Sequence, residues 1–189
     1  MLKNQDQGSN ENNHPFQFMA FPLEEPLQDV KQFDCDDEFL NSFIAKTMKK
    51  HVQDKLCSCR ILVDVTQKNK LVGFYSLQNF SLAKEELNVT KGPKIIPVTK
   101  LSMLAIDKSL QGKGIGKKVL VKALKDAYDA SELVGSFGVY IDAIENKIGF
   151  YQKLGFISIG ELKAQGTVNT LPMFLPMQTL ADAFTKTTA

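Results

Sequence analysis

Gln111-Gly112-Lys113-Gly114-Ile115-Gly116-Lys117 lies between an apolar run, Leu101-Ser102-Met103-Leu104-Ala105-Ile106-Asp107, and a segment starting at Ile115 whose apolar residues recur at helical spacing. An extended run that turns through glycines into a helix start gathers backbone N–H groups around one small volume, and the helix dipole adds partial positive charge there. Glycine lets the backbone approach a ligand with no Cβ in the way, and Lys113, Lys117 and Lys118 add charge nearby. The stretch reads as a phosphate-binding turn for a phosphorylated cofactor. The alternative is an ordinary glycine turn ahead of a helix.

Spacing rules out two phosphate motifs. A Walker loop needs glycine five residues after its first, followed by Lys-Ser/Thr, but five residues after Gly112 stands Lys117. A dinucleotide fingerprint needs its third glycine at that same position, and no ribose-binding acid closes a strand about 20 residues on. What remains is Gln-x-x-Gly-x-Gly.

Outward from the turn, Val98 to Ile106 reads as the strand that feeds it, after a loop punctuated by Gly92-Pro93 and Pro97. Ile115, Val119, Leu120, Ala123, Leu124 and Ala127 form the apolar stripe of a long helix. After a loop around Gly135, Val139 to Ala143 reads as a strand parallel to the first, since the helix between them makes a right-handed crossover. A short helix from about Glu145 to Leu154 ends at Gly155. Strands at Phe156 to Leu162 and Met173 to Met177 follow, with Gly166 in their connection.

Toward the N-terminus, Cys59 to Val65 and Leu71 to Leu82 read as a hairpin turning at Gln67-Lys68-Asn69-Lys70. Before it, Phe33-Asp34-Cys35-Asp36 supplies an N-cap to an amphipathic helix with Phe39, Leu40, Phe43, Ile44 and Met48 on its apolar stripe, running to about His51. Phe16 to Leu23 reads as a first strand, and residues 1–14, rich in Asn and Gln, as a disordered tail. The class is α+β, with one domain spanning 15–189.

The chain has 189 residues, enough for a real core, and no apolar run long enough to span a bilayer. Its N-terminal segment lacks the apolar centre of a secretory signal, so a cytoplasmic location is expected. Cys35, Cys57 and Cys59 show no paired zinc spacing and are expected to be small buried hydrophobes rather than disulfides or a metal site. Net charge is +2, unevenly placed: residues 1–40 carry 2 basic and 9 acidic groups, residues 41–130 carry 17 and 7. Lys84, Lys91, Lys94 and Lys100 lie outside the phosphate turn. They suit a second polyanion or a solvated lysine face equally.

The Gln111 to Gly116 loop resembles the acyl-CoA pyrophosphate loop of the GNAT acetyltransferase superfamily, whose pattern is Gln/Arg-x-x-Gly-x-Gly/Ala. Phe150-Tyr151-Gln152-Lys153-Leu154-Gly155-Phe156 is similar to the same family's Phe-Tyr-x-x-x-Gly-Phe signature, at the expected interval along residues 60 to 160. The resemblance implies a mixed sheet, flanked by helices, whose two central parallel strands splay apart. Acetyl-CoA would be held by Gln111, Gly112, Lys113, Gly114, Ile115, Gly116 and Lys117. Its thioester would lie beside Leu104, Ala105 and Ile106, with a backbone N–H near Leu104 as oxyanion donor. Tyr151 would protonate the leaving thiolate; by itself it reads equally as a packing tyrosine. No general base stands out. His51 closes a helix, Glu85 and Glu86 are weak candidates, Asp107 and Asp142 look like turn or cap residues, and a free α-amine titrates near pH 7.7 to 8.0, so no base is demanded.

Further stretches resemble TacT-like toxins within that superfamily: Phe33-Asp34-Cys35 with Leu40-Asn41-Ser42-Phe43-Ile44, Gly73-Phe74-Tyr75-Ser76-Leu77, Ile96-Pro97-Val98, and Leu104-Ala105-Ile106-Asp107 leading to Gln111-Gly112. This resemblance covers about residues 33 to 181. It implies acetylation of the α-amine of aminoacyl-tRNA and a ribbon-helix-helix antitoxin partner, with Lys91, Lys94 and Lys100 as tRNA contacts. Met103 stands where that group commonly has arginine, and Lys100 lacks the bidentate geometry to replace it. Alternatives are a small-molecule or protein amine as acceptor, or a module that holds acyl-CoA without turnover. Homodimerisation, as in some family members, is left open.

Overall fold

Turn chemistry and the period of apolar residues sort the chain into strands β1 (Phe16–Ala20), β2 (Ser58–Asp64), β3 (Lys70–Ala83), β4 (Ile95–Ile106), β5 (Gly138–Ile144), β6 (Ile157–Ser158), β7 (Lys163–Gln165) and β8 (Val168–Pro176). The helices are α1 (Glu38–Lys46), α2 (Met48–Gln53), α3 (Ile115–Val134), α4 (Ile148–Gln152) and α5 (Met177–Thr187). This is a computed structural model, and it describes residues 15–24, 27, 30–166 and 168–187. The tail expected at residues 1–14 lies outside the described residues.

The strands form one mixed sheet in the order β1-β2-β3-β4-β5-β8-β6, with β7 pairing β8. Every described pairing is antiparallel except β4 with β5, the pair that α3 connects. The stripe read from the sequence is the face α3 buries: Ile115, Val119, Leu120, Ala123, Leu124 and Ala127 are all buried. They pack with Leu101, Ile106, Val139 and Ile141 of the sheet, and α4 and α5 lie on the same face. The opposite face carries α1 and α2, where Ile44 and Met48 meet Ile61, Val63, Phe74 and Ala105. Burial of each such large side chain stabilises by about 1.5–3 kcal/mol.

Several local expectations are corrected. The N-cap of the first helix is Asp37, whose carboxylate accepts from the Leu40 N–H at 3.0 Å. Asp34, expected to help cap, instead ties to Lys108 and Asn41. One helix to His51 becomes two, because Thr47 sits at φ −114 and a β-branched residue there weakens the turn. Phe39 is 66% exposed, since it lies one step off the stripe of Leu40, Ile44 and Met48 and leans only on Phe43.

Strand β4 starts at Ile95 and runs through Pro97. The Pro97 carbonyl accepts from the Phe137 N–H (2.9 Å) along the edge that its nitrogen shares, and β5 begins only at Gly138, so no ladder donor is missed. The strand expected over Phe156 to Leu162 shrinks to two residues. Asp142 lies inside β5 rather than at its end.

Candidate active site

Strands β4 and β5 pair at Thr99↔Val139 and Lys100↔Tyr140, and nowhere beyond. Past that point β4 runs on to Ile106 and β5 to Ile144, each still paired on its outer edge, with β3 and β8 respectively. The parting coincides with a bulge: Met103 pairs with Ser76 and Leu101 with Leu77, which leaves Ser102 as the extra residue of β4. A bulge bends its strand and increases local twist. The result is a wedge-shaped gap with unpaired N–H and C=O groups along it, a place where an extended ligand with amide groups can pair as a strand would.

The glycine turn stands at the open end of this gap. Asp107 caps a short 3-10 turn by accepting from the Ser109 N–H and hydroxyl. Gly112 (φ 73) and Gly114 (φ 78) then take left-handed conformations, with open space where a Cβ would sit. Among the described residues, no acceptor meets the N–H groups of Gly112, Lys113, Gly114, Ile115, Gly116 or Lys117. The first helical bond of the ladder is Lys118 N–H to Gly114 C=O (3.3 Å). These amides face the start of a 20-residue helix. That is the chemistry a diphosphate needs: directed donors, partial positive charge, and no side chain in the way. The residues present fit the coenzyme that the loop pattern implies.

Gln111 is placed differently from the rest of its loop. Its side-chain amide donates to the carbonyls of Cys35 and Ile106, both at 3.1 Å, and so braces the loop against the entry of α1. A second brace runs from the Lys108 N–H to the Asp34 carbonyl (2.7 Å), with the Lys108 ammonium on the Asp34 carboxylate (2.6 Å). Lys113 donates to the Ser109 carbonyl, while Lys117 is exposed. Along the gap, Leu104 and Ile106 pack toward α3 and Ala105 packs toward α1, as strand alternation requires.

Tyr151 lies on α4, which begins just past the end of β5. Its ring packs edge-on against Phe150 (5.2 Å) and Phe156 (5.6 Å), beside the cluster that contains Ile106, Ile141 and Ala143. Among the described residues its hydroxyl has no hydrogen-bond partner, and burial pushes its pKa up. A phenol in that setting stays protonated over a wide pH range and is equipped to donate.

Lys100 is not a free cation. It donates to Asp142 at 2.7 Å across the root of the gap and lies 5.0 and 5.2 Å from the ring centres of Phe80 and Tyr140. Asp142 also accepts from the Tyr140 hydroxyl (2.5 Å), and burial followed by that bond raises the Tyr140 pKa. Lys91 and Lys94 are exposed on the loop that joins β3 to β4. Glu86 accepts from the Ala83 N–H in that same loop, and the His51 ring rests on Phe43. Neither lies along the gap.

Sequence reasoning missed the Ser102 bulge and the Lys100–Asp142 clamp. The bulge had a signal: apolar residues at 101 and 103 shift phase to 104 and 106, which a regular strand does not do. The clamp had none, because its partners are 42 residues apart.

The family model described as an acetyltransferase (GNAT) domain matches residues 38–177. A tRNA-acetylating toxin of Mycobacterium tuberculosis (strain ATCC 25618 / H37Rv) is 29% identical over 133 residues, covering 68% of this chain and 78% of that protein. Among solved structures, AtaT complexed with acetyl-methionyl-tRNAfMet aligns with a TM-score of 0.76 at 27% identity, covering 89% of this chain and 99% of that one. A mutant AtaT toxin bound to acetyl-CoA and the C-terminus of the antitoxin AtaR aligns at 0.73 and 28%, covering 91% and 99%. No helix among the described residues is long and apolar enough to cross a membrane.

Proposed function

Because this chain belongs to the GNAT acetyltransferase family, we propose that it transfers an acetyl group from acetyl-CoA to the α-amine of an aminoacyl-tRNA and thereby acts as a toxin of translation. The observation that carries the reading is the run of unpartnered amides from Gly112 to Lys117 at the open end of the β4–β5 gap. The likeness to a tRNA-acetylating toxin and to AtaT supports charged tRNA as the acceptor. The basic excess of residues 41–130 suits a polyanion of that kind.

When bound, acetyl-CoA supplies the activated acyl group. The chain's own residues do the rest. Gly112, Lys113, Gly114, Ile115, Gly116 and Lys117 hold the diphosphate through backbone N–H groups, with Gln111 keeping the loop in place. Leu104, Ala105 and Ile106 line the gap with strand edge, and a β4 amide near Leu104 faces the carbonyl oxygen as charge builds there. Tyr151 holds a proton at its hydroxyl and gives it to the leaving sulfur. The acceptor amine is unprotonated in substantial fraction near its pKa of about 7.7–8.0, so no dedicated base is required.

Lys91 and Lys94 are the exposed candidates for tRNA backbone contact. Lys100, held by Asp142, serves the gap instead. The reading places the enzyme in the cytoplasm, where charged tRNA is found, with a ribbon-helix-helix antitoxin as its regulator by analogy with AtaT and AtaR. The decisive experiment incubates the protein with acetyl-CoA and total aminoacylated tRNA, beside a polyamine panel, and identifies products by mass spectrometry. N-acetylaminoacyl-tRNA is the expected product. Acetylated polyamine with untouched tRNA would move the function to small amines.

A further inference from the structure

One buried side-chain oxygen among the described residues lacks a hydrogen-bond partner, the hydroxyl of Ser102. Proteins seldom leave such a group unmet, because its lost hydration goes uncompensated. Ser102 is also the bulged residue of β4, two positions past the last β4–β5 pair. It therefore stands in the wall of the gap, close to its apex. The residue as a whole is partly exposed although its oxygen is sealed, and rotation about one side-chain bond moves that oxygen among three staggered positions.

Distance along the strand fixes what would meet it. At roughly 3.3 Å per residue, Ser102 lies about 13 Å inward of Ile106, the residue nearest the phosphate turn. An arm anchored at that turn and laid along β4 as a short strand brings its far end, the acyl thioester, level with the bulge. The nearer amides of the arm meet Leu104 to Ile106, where backbone groups already serve. A serine hydroxyl carries one donor hydrogen, and a carbonyl oxygen accepts one.

We infer that the Ser102 hydroxyl donates to the acyl carbonyl of acetyl-CoA and so distinguishes the loaded coenzyme from free CoA, which has no such oxygen. This rests on the acetyl-CoA reading given above. It assigns Ser102 a contact with the reacting group and gives a reason for tolerating an unsatisfied hydroxyl in the ligand-free protein. It also favours product exchange, since the hydrogen bond vanishes once the acyl group has left.

Calorimetry of acetyl-CoA and of CoA binding to the wild type, Ser102→Ala and Ser102→Thr tests it, with thermal melts of the ligand-free proteins alongside. Ser102→Ala is expected to weaken acetyl-CoA binding about 3- to 10-fold, the size of one hydrogen bond, and to leave CoA binding unchanged. Ser102→Thr, which keeps the hydroxyl, restores the difference. The ligand-free alanine variant melts at or above the wild-type temperature. Unchanged acetyl-CoA affinity, an equal loss for both coenzymes, or a lowered melting temperature without ligand would overturn the assignment and leave the acetyl-CoA reading standing. Failure of the wild type to bind either coenzyme would bring down both.

Discussion

Tyr151 is the residue on which turnover depends, and its surroundings dictate how. Desolvation disfavours the phenolate and hydrogen bonding does not offset it, so the hydroxyl keeps its proton above its ordinary pKa of about 10. The rate should therefore rise with pH as the acceptor amine loses its proton near pH 8, then hold level across the mildly alkaline range. Tyr151→Phe should lower kcat by about 10- to 10,000-fold with acetyl-CoA affinity intact; wild-type turnover in that variant would remove Tyr151 from the chemistry. Gly114 makes a different demand. At φ 78 a Cβ is strained even though nothing lies within 4 Å of it. Gly114→Ala should cost about 1–2 kcal/mol in denaturant unfolding and weaken acetyl-CoA binding together, and a variant that binds normally would show that the turn need not be left-handed.

Among the elements, the start of α1 and the phosphate turn behave as one unit. Asp34 accepts from Lys108, the Asp36 N–H and Asn41, and these bonds lower its pKa to about 2, the Lys108 contact first. A carboxylate lowered in the folded state contributes stability above its unfolded pKa of about 3.9, and loses it as pH falls toward 2. The difference in melting temperature between wild type and Asp34→Asn should thus be larger at pH 6 than at pH 3. A pH-independent difference would mean that the charge is not what holds the brace. Element α3 was fully legible from its apolar stripe, because a helix buries what its own period lines up. Helix α1 was less so. Neither the capping role of Asp37 nor the break at Thr47 follows from periodicity, since both depend on where the chain leaves for the phosphate turn.

On the scale of the whole molecule, the basic stretch surrounds a sheet whose central strands part. Electrostatic binding to tRNA releases counterions, so affinity should fall steeply with salt. Replacing Lys91 and Lys94 by alanine should reduce the slope of log K against log[salt] by about 1 for each phosphate that the two lysines neutralise, as measured by filter binding or fluorescence anisotropy. An unchanged slope would place the tRNA elsewhere on the surface. Tyr75 on β3 and Asp126 on α3, bonded at 2.5 Å with Lys122 and Arg60 also on Asp126, show how far apart in sequence the groups that fasten helix to sheet can lie. By itself the sequence determined the α+β class, the parallel crossover, the glycine turn and the identity of Tyr151, because each is encoded by local period, turn chemistry or a short motif. Tertiary structure alone decided where β4 and β5 part, that Lys100 is spent on Asp142, and that Ser102 is left without a partner. The physical reason is that these depend on which strand lies opposite which residue, and that register is set by contacts between segments dozens of residues apart.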